Sequence, residues 1–424
     1  MEKVKKTAKT GLIISLILML LCCIVVSGVQ TAGGKVTMKE LMFETDLGYS
    51  MSAYILIPDT ATAENPAPAV VTSHGYLNNK EMQDANYVEL ARRGFVVLSV
   101  DQSMHGDSQF EDVAFRTAVY QGALMLSRLP FVDGSQIGVT GHSMGGGACN
   151  DAIVSDNAAE TQVISAILLN CCDPVVTVTE DYVNYEYADI YGTRKAGFMS
   201  AVYDEFFSTQ AQADGSVLRS PYYMSSDNAQ SFLHFSVDPT GLDTRAENTY
   251  YKDTVDGQET FRIIYREQII HPWAHFSGRA TADVIDFFQT AFVAPNPIDS
   301  GNQTWQWKEA FNFLGLIGFA MFLASFAVLM VFTPAFADLR AEKPAVPAKA
   351  GGKKGKLWFW CSLAAGALFG TITYRWLLNV GSKISAAQTE TVAIGTWSTA
   401  CGLFAIVSML VFYFAYGKKN GFDA

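Results

Sequence analysis

Four long stretches without charge constrain this chain more than anything else in it. Gly11–Val29 is nineteen residues with no charged side chain. Phe311–Phe332, Leu357–Leu378 and Val392–Tyr416 lie near the other end, the middle one interrupted only by Arg375. A helix needs about 20 apolar residues to cross the hydrocarbon core of a bilayer. Each stretch therefore predicts a spanning helix. Arg375 lies near the end of its stretch, where a long side chain can reach out to the interface. Trp305 and Trp307 precede the second stretch and suit the membrane–water boundary.

The flanking charges give these spans a direction. Lys3, Lys5, Lys6 and Lys9 precede the first. Arg340, Lys343, Lys349, Lys353, Lys354 and Lys356 fill the loop after the second, and Lys418 and Lys419 follow the last. Basic loops stay on the cytoplasmic side. The expectation is a multi-pass protein of the cell membrane. Residues 1–34 form a cytoplasmic tail and signal-anchor helix, and 305–333, 357–379 and 391–417 are spans. Residues 334–356 are then a basic cytoplasmic loop and 418–424 a cytoplasmic tail. Cleavage of the first stretch as a signal peptide is the rival reading. Residues 35–300, between spans one and two, then face outward.

That outward segment is acidic. From Lys35 to Trp305 there are 15 Lys+Arg against 35 Asp+Glu, a net of −20. Nucleic acid as a partner wants a basic footprint, so it is excluded. Of seven cysteines, Cys22, Cys23, Cys361 and Cys401 lie in apolar stretches, and Cys149, Cys171 and Cys172 lie in the segment. No C-x-x-C pair occurs, so thiolate zinc sites and redox motifs lack support. No metal or cofactor is expected.

The segment alternates strand-like and helix-like patterns. Met38–Glu44 and Met51–Pro58 read as a hairpin. Ala69–Ser73, Phe95–Asp101, Ile137–Thr140, Val163–Asn170, Gly197–Tyr203 and Phe261–Tyr265 read as further strands, Phe261–Tyr265 being the last along the chain. Gln83–Arg93, Val113–Leu129 and Thr281–Phe292 read as helices, with another after a glycine-rich turn at 141–147. Continuously apolar strands alternating with helices predict an α/β fold with a mostly parallel sheet covered on both faces. Chemistry in such folds sits at the carboxyl ends of the strands.

The strand Ile137–Thr140 runs into Gly141-His142-Ser143-Met144-Gly145. This is G-x-S-x-G at a strand-to-helix turn, which lifts a serine hydroxyl above the sheet. Side chains at 141 or 145 would strike neighbouring backbone. Ser73-His74-Gly75-Tyr76 follows an earlier strand. The backbone N–H groups of Tyr76 and Met144 are the candidate oxyanion donors. Asp204 follows Gly197–Tyr203 and is the candidate acid, with Glu205 as its immediate alternative and Asp173 and Asp238 as weaker ones. His271 and His275 both follow the last expected strand. A metal pair of these two histidines has little support without H-E-x-x-H.

The order H-G, G-x-S-x-G, acid, histidine resembles the α/β-hydrolase superfamily, its dienelactone hydrolase and acyl-esterase-like branch above all. Asp101-Gln102-Ser103-Met104-His105-Gly106-Asp107-Ser108 resembles that superfamily's D-x-R-G-H-G-D-S loop, with Ser103-Met104 where Arg-Gly is common. The resemblance covers about residues 38–292. It implies the α/β-hydrolase fold and Ser143 as nucleophile. It assigns the base to His275, because His275-Phe276 looks like the His-Phe pairing before the closing helix, and leaves His271 as alternative. It implies a serine esterase acting on a small-molecule or lipid-like acyl substrate. Peptidase or acyltransferase activity shares the same chemistry. A catalytically silent binding or sensor module is the rival class. Tyr182, Tyr185, Tyr187, Tyr191, Tyr222, Tyr223, Tyr250 and Tyr251, in two inserts flanking Asp204, either line the substrate pocket or pack the fold.

Overall fold

The computed structural model describes residues 1–109, 116–179, 185–212, 215–339, 352–385 and 388–420. Nine strands form one sheet: β1 (Val36–Glu44), β2 (Ser50–Pro58), β3 (Ala67–Ser73), β4 (Val96–Val100), β5 (Val132–His142), β6 (Ala166–Asn170), β7 (Lys195–Tyr203), β8 (Tyr251–Val255) and β9 (Gln258–Ile270). Their order is β1-β2-β4-β3-β5-β6-β7-β9-β8. The strands from β4 through β9 pair in parallel, whereas β1 and β2 at one edge and β8 at the other are antiparallel.

Burial explains the strand sequences. Every residue of β3, β4 and β6 is buried, as expected of parallel strands with both faces covered. Side chains alternate between two cores. Val71, Leu98 and Ile167 face one core with α3 (Ala118–Ser127), α4 (Met144–Ala158) and α5 (Asp227–Leu233). Val70, Val97 and Leu168 face the other, with α2 (Asp84–Arg92) and α6 (Gly278–Ala291). Edge strand β1 instead alternates burial with exposure and carries Lys39 and Glu40.

The expected elements are present, with differences at their bounds: β5 begins five residues before the expected Ile137 and β6 three after the expected Val163. Residues 113–115 of the helix expected at Val113–Leu129 lie outside the described residues, and the described helix is Ala118–Ser127. Strand β9 continues to Ile270, five residues beyond the expected Tyr265. Beyond β9, at the edge of the sheet, lies β8, a strand the sequence pattern does not mark, paired with β9 as a hairpin.

Among the described residues, four helices are long and apolar enough to cross a membrane: α1 (Glu2–Gln30), α7 (Trp305–Val331), α8 (Gly352–Gly381) and a fourth running through α9 (Thr389–Phe412) to Gly417. The chain divides into two compact units, Met1–Leu21 with Leu314–Ala424, and Cys22–Phe313. Within the first, Phe369 of α8 stacks on Phe404 of α9, ring centroids 4.4 Å apart. Trp397 Nε1 donates to the Gly370 carbonyl at 3.0 Å. Of the basic loop, residues 340–351 lie outside the described residues.

Within the second unit, the start of α7 is built into the body that carries the sheet. Trp305 is buried in the α2/α6 core. Glu89 of α2, fully buried, accepts from the N–H groups of Thr304 at 2.6 Å and Trp305 at 3.1 Å. Its other oxygen takes the Arg93 guanidinium at 2.6 Å. The first N–H groups of a helix have no acceptor within it, and a buried carboxylate supplies one here.

Candidate active site

Strand β5 delivers Ser143 to the sheet's carboxyl edge. Its backbone lies at φ 56°, ψ −117°, a conformation that costs a non-glycine residue energy and persists only where the surroundings enforce it. Two glycines permit the turn. A Cβ on Gly141 would come within 2.4 Å of the Gly145 carbonyl, and one on Gly145 within 2.5 Å of the Ser73 carbonyl. Gly75 passes so close that its Cβ would meet that of Ser143 at 3.3 Å. The loop holding Tyr76 therefore runs against the serine. Met144, the other expected oxyanion donor, is the first residue of α4.

That loop is pinned from β4. His74 is buried; its Nε2 accepts from the Gln102 N–H at 3.0 Å, and Nδ1 then donates to the Gly75 carbonyl at 2.7 Å. His105 Nε2 accepts from the Leu77 N–H at 3.1 Å. Asp101 anchors the 101–108 loop by accepting from the Lys80 ammonium at 2.9 Å and the Asp107 N–H at 3.1 Å. A Cβ on Gly106 would overlap that carboxylate. His74 and His105 are thus supports, and the Arg-Gly missing from the motif is not needed to close the loop.

Asp204 is the first residue after β7. One oxygen accepts from the N–H groups of Phe206 and Phe207, both at 2.8 Å. The other accepts from Nδ1 of His271 at 2.8 Å. Burial opposes its ionisation, but these three donors outweigh burial and hold the carboxyl below the usual carboxylate range. Phe207 stacks on the His271 ring at 5.5 Å, and the exposed Phe206 meets it edge-on at 5.1 Å. The Glu205 carboxylate, the alternative acid, accepts the His271 backbone N–H at 3.3 Å and not its ring. Asp173 is partly buried and accepts from the Ser208 N–H, while desolvation pushes its pKa up to about 6. Asp238 caps Thr240 on the surface.

The imidazole joined to the acid is therefore His271, and this corrects the placement expected for His275. Because β9 runs on to Ile270, the first residue off the strand is 271, while 275 lies a turn further on, in the 3-10 helix His271–Phe276. His275 Nε2 meets Nδ1 of His142 at 3.1 Å, and Nε2 of His142 meets the His271 carbonyl at 3.0 Å. Sequence reasoning assigned no part to His142.

His142, Cys171 and His271 form a buried group with potential ligand atoms within 4.8 Å of one another. Both nitrogens of His142 are already hydrogen-bonded, and burial pushes the Cys171 thiol up. The group is thus engaged as a hydrogen-bonded cluster rather than held open as a cage.

Of the eight tyrosines flanking Asp204, Tyr182 lies outside the described residues. Tyr191 and Tyr223 are core residues, packed on Phe232 and Phe198. Tyr250 bonds the Tyr265 hydroxyl at 2.6 Å, and Tyr251 accepts from the Ala246 N–H at 2.6 Å. Tyr185, Tyr187 and Tyr222 are exposed.

A mostly parallel sheet in this order, with a strained serine after β5 and an Asp–His pair after β7 and β9, defines the α/β-hydrolase fold. No family model matches the sequence. Among curated proteins, the uncharacterized protein YcjY of Escherichia coli (strain K12) is 32% identical over 114 residues. That stretch is 25% of this chain and 37% of YcjY. Among solved structures, an esterase of Pyrobaculum calidifontis is 16% identical at TM-score 0.41, covering 69% of this chain and 94% of its own. Esterase LipW of Mycobacterium marinum is 14% identical at 0.41, covering 68% and 91%. A dienelactone hydrolase-like promiscuous phosphotriesterase from metagenomic libraries is 17% identical at 0.39, covering 61% and 100%. These likenesses are remote, and the strand order and turn geometry carry the fold assignment.

Proposed function

We propose that this chain is a membrane-anchored serine hydrolase that cleaves an ester or related acyl bond through an acyl-Ser143 intermediate. One observation carries the reading. A serine held at φ 56° and a 2.8 Å Asp204–His271 pair occupy the carboxyl edge of the same sheet. In the first half-reaction, Ser143 Oγ attacks the acyl carbon and its proton passes to Nε2 of His271. The N–H groups of Tyr76 and Met144 stabilise the oxyanion that forms. His271 then gives the proton to the departing alkoxide, leaving the acyl-serine. In the second, His271 takes a proton from water, hydroxide oxygen bonds the acyl carbon, and the acid leaves as Ser143 regains its proton. Asp204 stays ionised and orients the imidazole throughout.

The acyl substrate is lipid-like or a small ester. Exposed Phe206 beside the His271 ring, with Tyr76 and Trp273 also exposed, offers it apolar surface. The body carrying the site faces outward, as the basic flanks of the spans indicate.

A fluorophosphonate probe tests the chemistry. Labelling of the full-length wild type should vanish in Ser143→Ala and fall about 10²–10⁴-fold in rate in His271→Ala, with a smaller loss in His275→Ala. A folded wild type that takes no label is a binding module instead. External protease on intact cells should cut the body, and protection would overturn the outward assignment.

A further inference from the structure

We infer that His142 is a positioning residue: with His275 it forms a one-way hydrogen-bond relay that fixes the His271 backbone relative to Ser143. The inference rests on the serine-hydrolase reading above. Its geometry is complete on both sides of the ring. His142 is buried and directly precedes Ser143. Its Nε2 lies 3.0 Å from the His271 carbonyl. A carbonyl only accepts, so Nε2 carries hydrogen. In the neutral ring Nδ1 is then an acceptor, and the group facing it at 3.1 Å, Nε2 of His275, must donate. The His142 tautomer follows, and within this pair the direction is His275 to His142 to the carbonyl of residue 271, while the Met82 backbone, which also bonds the His275 ring, competes for that ring's hydrogen.

The consequence is a closed clamp. The loop that starts at His271 is held twice by a side chain of the nucleophile turn, once through its first carbonyl and once through the imidazole four residues on. His271 thereby has three tethers. Its N–H goes to Glu205, its carbonyl to His142 and its Nδ1 to Asp204. Nε2 is the ring nitrogen these tethers leave for the serine proton. Rings stacked only for bulk would not need this polarity: the His142 centroid lies 4.2 Å from that of His275 and 4.6 Å from that of His271, with both nitrogens of the central ring in use. Misplacing a catalytic group by about 1 Å can cost about 10²-fold, and a buried donor left unpaired adds to it.

Glutamine separates hydrogen bonding from bulk, since its amide can donate to the carbonyl and accept from His275, whereas leucine fills space only. In full-length protein in detergent, His142→Leu should lower the fluorophosphonate labelling rate about 10–100-fold. On a chromogenic short-chain ester the loss should appear in kcat, with KM near wild type. His142→Gln should recover most of it, and both variants should melt cooperatively. The pair His275→Gln and His275→Leu should repeat the pattern more weakly, and decides the matter if the residue 142 variants do not fold. Equal losses in Gln and Leu variants, or none in either, overturn the relay while wild-type labelling leaves the hydrolase reading standing. A wild type without label overturns the reading itself.

Discussion

Asp204 divides its two oxygens between two tasks, and that division makes it hard to replace. One oxygen is spent on the N–H groups of Phe206 and Phe207, the other on His271. Asp204→Asn keeps the shape but can present an amide N–H to a ring nitrogen that needs an acceptor. The expected result is a kcat loss of about 10²–10⁴-fold with little change in Tm, whereas Glu205→Gln should lose far less. Gly145 allows no such latitude: alanine there meets the Ser73 and His74 carbonyls at about the distance of a covalent neighbour shell, 2.5 and 2.6 Å. Gly145→Ala should abolish labelling and lower stability together, as read by probe and by thermal melting.

The buried histidines also set a pH dependence. Burial chiefly lowers His74 to about 3 and His275 to about 4, against the usual 6.5, with neighbouring histidines adding to it. A base whose folded pKa is depressed binds protons preferentially when unfolded. Stability is therefore full above about pH 6.5 and declines as pH falls from there toward the folded values. Asp204, held low, adds its loss only in more acid solution, as its own folded pKa is crossed. Tm measured from pH 8 to pH 4 should fall, and His275→Gln should flatten part of the slope. A Tm independent of pH over that range would refute this account.

At the scale of elements, what the sequence disclosed and what it hid have one cause each. Ser143 was legible because five consecutive residues encode the turn. Asp204 was legible because Gly197–Tyr203 is an apolar run with an abrupt polar end. The histidine was misplaced because β9 does not end where its apolar run ends. Arg266, Glu267 and Gln268 continue the strand as polar residues, with Arg266 buried and bonded to the Ser200 hydroxyl at 2.6 Å. Such long-range partners leave no mark on hydropathy. The tyrosines were ambiguous for the same reason. Tyr223, fully buried against Phe198, should cost about 3–5 kcal/mol as Tyr223→Ala in chemical denaturation, while exposed Tyr222→Ala should change stability by no more than about 0.5 kcal/mol.

At the scale of the whole molecule, the body with the sheet extends past the edge that hydropathy suggests, because Trp305 belongs to its core. A version truncated after residue 300 should be less stable than one ending at 313 by about 3–5 kcal/mol, the cost of emptying a buried tryptophan site. Equal denaturation midpoints would refute this. Glu89 sharpens the point. A helix bound for lipid is ordinarily free to slide by a residue or two, since one apolar side chain serves there as well as the next. Here a slip would strip two backbone donors from an interior carboxylate and pull an indole from its seat. On the membrane-anchored reading proposed above, the register of that helix is therefore dictated by the folded body at its start rather than by the thickness of the oil.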